Sequence, residues 1–353
     1  MARRSSSSAL TRAYQRNLKA LTRATLKNTR RMAGQVTQQV SRAVAQQRKP
    51  PPGAGDWLTG MAIGAGGTRG YHLYRPAGLT RAPGETLPLL VMLHGCGQTG
   101  RDFASSTRMN RIATRERFLV LYPEQDRLHH AQGCWNWYET RSGKADREAA
   151  TLIVAIDQVI RLYGVDRERV AVVGLSAGAG MAALLATRYP LHFKAAAMHS
   201  GVAPGAAQST AGALSAMRGS RVPAMPATAV GKALGAAAVG ATLPPMLVLH
   251  GDADTVVAPS NAVSAAKVWA AATGARPGPE RTLQRGQRHP MRVTDFKRAG
   301  QTCVTLCQIA GLGHAWSGGL ASLPFSDATG PDASKLVWAF VARQFERAPA
   351  KAP

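Results

Sequence analysis

The sequence predicts an α/β fold: a mostly parallel, doubly wound sheet with helices on both faces. Three observations carry that prediction. Apolar runs alternate with amphipathic helical stretches from about residue 70 onward, the order in which crossover helices join parallel strands. Several runs, such as Leu87–Gly95 and Met246–Gly251, are apolar at nearly every position, as strands covered on both faces must be. Finally, Gly174-Leu175-Ser176-Ala177-Gly178 stands between the run Arg169–Val173 and a helical stretch opening at Met181, an order that reads as strand, sharp turn, helix.

In chain order, the first 55 residues form a separate segment. They hold twelve lysines and arginines and no acidic residue, so the remaining chain carries +13 of the net +25. Leu10, Tyr14, Leu18 and Leu21, then Val36, Val40 and Val44, recur at helical spacing on a basic background. Such an arm is either solvated or lies on an anionic membrane, polymer granule or nucleic acid. Lys49–Gly55 is a proline- and glycine-rich linker. The body then runs over residues 56–347, followed by a short tail, 348–353. The expected body elements are an edge strand Gly70–Pro76 closed by proline, a central strand Leu87–Gly95, a helix through Asn110 and Ile112, and a strand Phe118–Pro123. A helix over Ala149–Tyr163 stops at Gly164, and the strand with the serine turn follows. Beyond the turn come a strand Lys194–Gly201, a weakly periodic insertion or cap over 202–245, and a strand from Met246 that ends in carboxylates. A helix Asn261–Ala272, a hairpin Met291–Phe296 with Thr302–Ile309, and a closing helix Ala333–Phe345 complete the body.

Three strand ends supply a serine, a carboxylate and a histidine, in that chain order: Ser176, Asp254 and His314. A serine hydroxyl is a weak nucleophile at neutral pH, so it needs a base, for which His314 is the candidate. Asp254 would hold the imidazole tautomer. Asp252 is the competing carboxylate, but it is better placed to cap the loop. Glycines at 174 and 178 let strand and helix pass close together while the serine takes a strained conformation. The N–H of Ala177, at the helix start, and that of Cys96, in the glycine-rich loop His94–Thr99, are the candidate oxyanion donors. The aromatic loop Gly133–Tyr138 either lines a pocket or pins a loop, which makes Asn136 and Trp137 candidate substrate contacts. Cys303 and Cys307 lie four apart in a strand, about 13 Å, too far to bond to each other.

His94-Gly95-Cys96-x-Gln98-Thr99, Cys134-Trp135-Asn136-Trp137, the serine pentapeptide, His250-Gly251-x-x-Asp254 and Gly311-Leu312-Gly313-His314-Ala315-Trp316 together resemble the esterase family of polyhydroxybutyrate depolymerases, whose relatives include feruloyl and acetylxylan esterases. The resemblance covers about Tyr71–Phe345. It implies an α/β-hydrolase fold, carboxylic-ester hydrolysis without a cofactor or metal, and a hydroxyalkanoate oligoester or small ester as substrate. It also implies a disulfide between Cys96 and Cys134, with Trp137 and Trp316 facing the acyl chain.

Feruloyl, acetylxylan or general short-chain esters are the alternative substrates, and a basic-arm binding protein is the third reading. No base-reading module is recognisable, so sequence-specific nucleic-acid binding is not expected. The first residues lack the apolar core and cleavage site of a secretory leader, which points to the cytoplasm, whereas the resemblance implies the extracellular space.

Overall fold

Alternate residues of the central strands serve opposite faces of one sheet. Leu89, Val91 and Leu93 belong to one apolar cluster and Leu90 and Met92 to the other; Val170 and Val172 are divided in the same way from Ala171 and Val173. Both faces are buried, which is why these runs show no polar alternation. The computed structural model describes residues 53–80, 82–220 and 243–347. The basic arm up to residue 52, residues 221–242 of the expected insertion and the tail lie outside the described residues. The chain divides into two units, Met1–Pro50 and Pro51–Pro353, and the second is described here.

Its strands are β1 (Gly55–Gly64), β2 (Gly67–Pro76), β3 (Leu87–Leu93), β4 (Leu119–Pro123), β5 (Val165–Leu175), β6 (Ala195–His199), β7 (Met246–Gly251), β8 (Arg276–Pro277), β9 (Arg281–Leu283), β10 (Met291–Arg298) and β11 (Gln301–Ile309). They form one sheet in the order β1-β2-β4-β3-β5-β6-β7-β11-β10-β8, with β9 also on β10. The run from β4 to β11 is parallel and both flanks are antiparallel. One face is covered by α3 (Lys144–Tyr163), α4 (Ala177–Arg188), α5 (Thr210–Met217) and α6 (Ser260–Thr273). The other is covered by α1 (Gly100–Thr107), α2 (Met109–Glu116) and α7 (Ala333–Phe345).

From β3 the chain steps outward to β4, and from β5 it steps the other way through β6 to β7. The loops that leave the carboxyl ends of β3 and β5 therefore diverge, opening a crevice between them. These are the candidate oxyanion loop, His94–Thr99, and the serine turn.

Several elements differ from the sequence expectation. The body begins, near the expected Asp56, with a ten-residue strand, β1, for which no element was expected. It pairs with β2 from Gly55↔Pro76 to Gly64↔Gly67, so the expected edge strand Gly70–Pro76 is an interior one. The proline closes its end, where the missing N–H disturbs the ladder least. The helix through Asn110 is two helices, broken at Arg108 in the left-handed region (φ 55°). Helix α3 begins at Lys144, one turn earlier than expected, and α4 begins at Ala177 rather than Met181, immediately after the serine.

That abrupt start requires glycine at two places. A Cβ on Gly174 would lie 2.1 Å from the Gly178 backbone, and one on Gly178 would lie 2.2 Å from the Leu93 carbonyl oxygen. Gly178→Ala should therefore lower unfolding stability by roughly 3 kcal/mol, because the clash is with backbone that cannot swing aside. Urea denaturation of the variant against the native chain measures it.

Candidate active site

The serine turn, the loop after β7 and the loop after β11 meet at the carboxyl edge of the sheet. Ser176 has φ 55° and ψ −118°, outside every favoured region for a residue with a side chain. Its N–H donates to the His199 carbonyl (2.9 Å) and its own carbonyl accepts from the N–H groups of Ala179 and Gly180, so the strained residue is held from both sides. Its hydroxyl donates to His314 Nε2 at 3.0 Å, and His314 Nδ1–H donates to Asp254 Oδ2 at 2.8 Å. The tautomer follows from the partners: a carboxylate only accepts, so Nδ1 carries the proton and Nε2 is free to accept one.

Asp254 is fully buried, and burial works against its charge. Four donors overrule that. His250 Nε2 lies 3.2 Å from Oδ2, His314 donates to the same oxygen, and the N–H groups of Val256 and Val257 donate to Oδ1, each at 2.9 Å. Together they hold the carboxyl well below the usual carboxylate range. Asp252, the competitor, accepts instead from the Gly311 N–H at 2.7 Å and secures the turn that leads into His314.

Beneath the site, His199 is pushed down to about 3, chiefly by burial and also by the positive partial charges of His250 and His314. It is therefore neutral, accepting from the Ser317 N–H and donating toward Ser200 Oγ.

The oxyanion loop is wired so that one amide is left over. The Gly95 N–H donates to Gln98 Oε1, the Gln98 N–H to the Gly95 carbonyl and the Gly97 N–H to the Gln132 carbonyl. His94, held near 4 by burial and so neutral, donates through Nδ1 to the Gly95 carbonyl and accepts at Nε2 from the Gln125 N–H. Among the described residues, neither the Cys96 nor the Ala177 N–H has an internal acceptor. Both residues line, with Ser176, an open cleft of about 640 Å³. The remaining walls include Trp135, Trp137, Tyr138, Val202, Leu214, Met217 and Val257, a mostly apolar surface of the size that holds small ligands.

Cys96 and Cys134 are joined by a disulfide, which ties the oxyanion loop to the aromatic loop. That second loop is anchored in turn by a buried ionic cluster. Arg69 pairs with Glu148 at 3.0 Å and donates to Gln125 Oε1. Gln125 donates to Glu148 and to the Cys134 carbonyl, and the Asn136 N–H donates to Glu148 Oε2. The Trp135 indole donates to the His94 carbonyl at 2.9 Å, closing the circuit between the loops.

Of the three expected substrate contacts, only Trp137 lies on the cleft wall. Trp316 is fully buried: it stacks on His199, meets Phe103 edge-on and donates to Ser334 Oγ, so it supports the floor of the site from behind. Asn136 is likewise buried and belongs to the Glu148 anchor. Both residues lie in stretches packed into the interior, next to the fully buried Trp135 and Ser317, so their side chains meet core partners and not the cleft. Sequence reading missed His250, His199 and the Arg69–Glu148 pair. The available signals were the place of His250 in the motif His250-Gly251-x-x-Asp254 and that of Arg69 at the inward register of the alternation Arg69, Tyr71, Leu73.

The fold, with a strained serine between strand and helix, is that of the α/β-hydrolase class. A family model described as "Esterase PHB depolymerase" matches residues 69–280, and the chain belongs to that family. It is 32% identical over 176 residues to poly(3-hydroxyalkanoate) depolymerase C of Paucimonas lemoignei, a match covering 49% of this chain and 42% of that protein. It is 28% identical over 259 residues to acetylxylan esterase A of Talaromyces purpureogenus, covering 71% of this chain and 63% of that one. The chain thus spans about half the length of these relatives. Among solved structures, the acetyl xylan esterase from Aspergillus awamori superposes with a TM-score of 0.60 at 23% identity, over 74% of this chain and 94% of that one, a likeness of fold.

Two measurements check the electrostatics. The depressed Asp254 carboxyl stabilises the fold fully above its unfolded pKa of about 4, and that stabilisation is lost as pH falls toward the lower folded value. The stability advantage of the native chain over Asp254→Asn should therefore be constant near neutrality and shrink below about pH 4, as read by urea unfolding at stepped pH. Arg69→Met leaves Glu148 buried without its counter-charge and should cost about 3–5 kcal/mol in the same assay.

Proposed function

We propose that this chain is a serine carboxylic-ester hydrolase acting through an acyl-enzyme on hydroxyalkanoate oligoesters. The single observation that carries the proposal is the unbroken hydrogen-bond chain from Ser176 Oγ through His314 to Asp254. In this reading Ser176 Oγ attacks the ester carbonyl carbon as His314 Nε2 takes its proton. The carbonyl oxygen becomes an oxyanion facing the Cys96 and Ala177 N–H groups, each worth roughly 3 kcal/mol to the barrier. The bond to the alcohol oxygen then breaks, and His314 returns its proton to that oxygen. Water, deprotonated by His314, attacks the acyl-serine and releases the acid. Asp254 stays ionised throughout and stabilises the imidazolium.

The apolar cleft beside the oxyanion donors suits an aliphatic acyl group, with Trp137 against it. A second reading, an acetyl or feruloyl ester of a sugar, is favoured by one comparison. The match to acetylxylan esterase A runs over more of this chain than the match to the depolymerase.

Ser176→Ala should lower turnover of p-nitrophenyl butyrate by at least about 10³-fold with its circular dichroism unchanged. Undiminished turnover would end the proposal. Initial rates on hydroxybutyrate oligomers, acetylated xylan and a feruloyl ester then separate the two substrate readings.

A further inference from the structure

We propose that Phe325 is the wall of a leaving-alcohol subsite and selects esters whose alcohol carries an apolar chain, such as the next unit of a hydroxyester. The inference rests on the hydrolase reading above. In that reading the four bonds of the tetrahedral carbon have assigned directions. One goes to Ser176 Oγ, one oxygen faces the Cys96 and Ala177 amides, and the acyl chain takes the cleft. The alcohol oxygen must lie within hydrogen-bond reach of His314 Nε2, because that nitrogen protonates it. Whatever is attached to the alcohol oxygen therefore lies beside the His314 ring, a region the cleft walls do not include.

Phe325 occupies that region. Its ring centroid is 6.4 Å from that of His314, in an edge-on arrangement at 85°. Phe325 is 45% exposed and belongs to neither apolar cluster among the described residues. Its backbone has φ 56°, a left-handed conformation that is rare for a bulky aromatic and that glycine would adopt freely.

The surrounding turn enforces this conformation. The Trp316 N–H donates to the Phe325 carbonyl at 2.8 Å, Trp316–Ser317 pairs with Ser326–Asp327, and the Gly319 N–H donates to the Asp327 carbonyl at 2.7 Å. A strained residue held in place with its ring half in solvent contributes little to packing. Strain of this kind collects at functional sites, and an aromatic face beside the base offers apolar contact to a departing alcohol.

The test compares kcat/KM on two butyrate esters that share an acyl group, ethyl butyrate and the butyrate ester of methyl 3-hydroxybutyrate. Phe325→Gly should reduce the native preference for the hydroxyester about 5- to 10-fold, the range of one aromatic contact. Phe325→Tyr should restore it to within about 2-fold. Phe325→Gly should also melt at or above the native temperature, since glycine relieves the left-handed strain. An unchanged preference, an equal loss on both esters, or melting several degrees lower would overturn the assignment. A native chain inactive on both esters would overturn the hydrolase reading and this assignment with it, whereas an active chain with an unchanged preference overturns this assignment alone.

Discussion

The close passage of β5 and α4 is the constraint on which the rest of the molecule depends. The strand must end and the helix begin within one residue, so Ser176 takes a backbone conformation that costs of order 1–3 kcal/mol. That conformation survives because Gly174 and Gly178 admit backbone where any side chain would collide, and because β6 supplies the His199 carbonyl to the serine N–H. Moving the helix start one residue away would turn the hydroxyl and the Ala177 amide apart. The position of the turn matters as much as its shape. It lies at the carboxyl edge where the chain reverses its direction of travel across the sheet, so the oxyanion loop after β3 diverges from it and leaves a crevice.

Around this turn the molecule buries one carboxylate and surrounds it with hydrogen-bond donors. Asp254 is ionised in a buried position, and each lone-pair direction meets a donor. His199 and His94 are buried deeply enough to remain neutral, and each uses one ring nitrogen to donate and the other to accept. Such an arrangement leaves little freedom for the His314 ring, whose two nitrogens have distinct partners. In the proposed hydrolysis, preorganisation of this kind would lower the reorganisation needed when charge develops at the serine.

The oxyanion loop is held through a longer chain of contacts. Arg69 on β2, Glu148 on α3 and Gln125 after β4 fix the aromatic loop, and the Cys96–Cys134 disulfide and the Trp135 indole pass that fixation to the loop after β3. A buried ion pair is a costly way to hold two elements, since desolvation offsets most of its attraction. Here the pair also satisfies the backbone of Asn136, which lies beyond the reach of any regular ladder.

Much of this was legible from residue order alone. Continuous apolar runs announced buried parallel strands, and the glycine context announced the turn at Ser176, because steric exclusion is a local property. The serine, carboxylate and histidine were legible for the same reason, each standing just after an apolar run. The strand β1 was not, since its run of Thr59, Gly60, Met61 and Ala62 has weak alternation and gains its order from pairing with β2 and packing against α3. Nor were the parts played by Trp316 and Asn136, whose chemistry suits a cleft as well as a core. Residue order was enough for the fold class, for the succession Ser176, Asp254, His314 along the chain and for the glycines that let strand and helix pass closely. Which loop residues face the cleft, which face the core, and that Phe325 stands beside His314, only tertiary structure decided, because those outcomes depend on contacts between segments far apart along the chain.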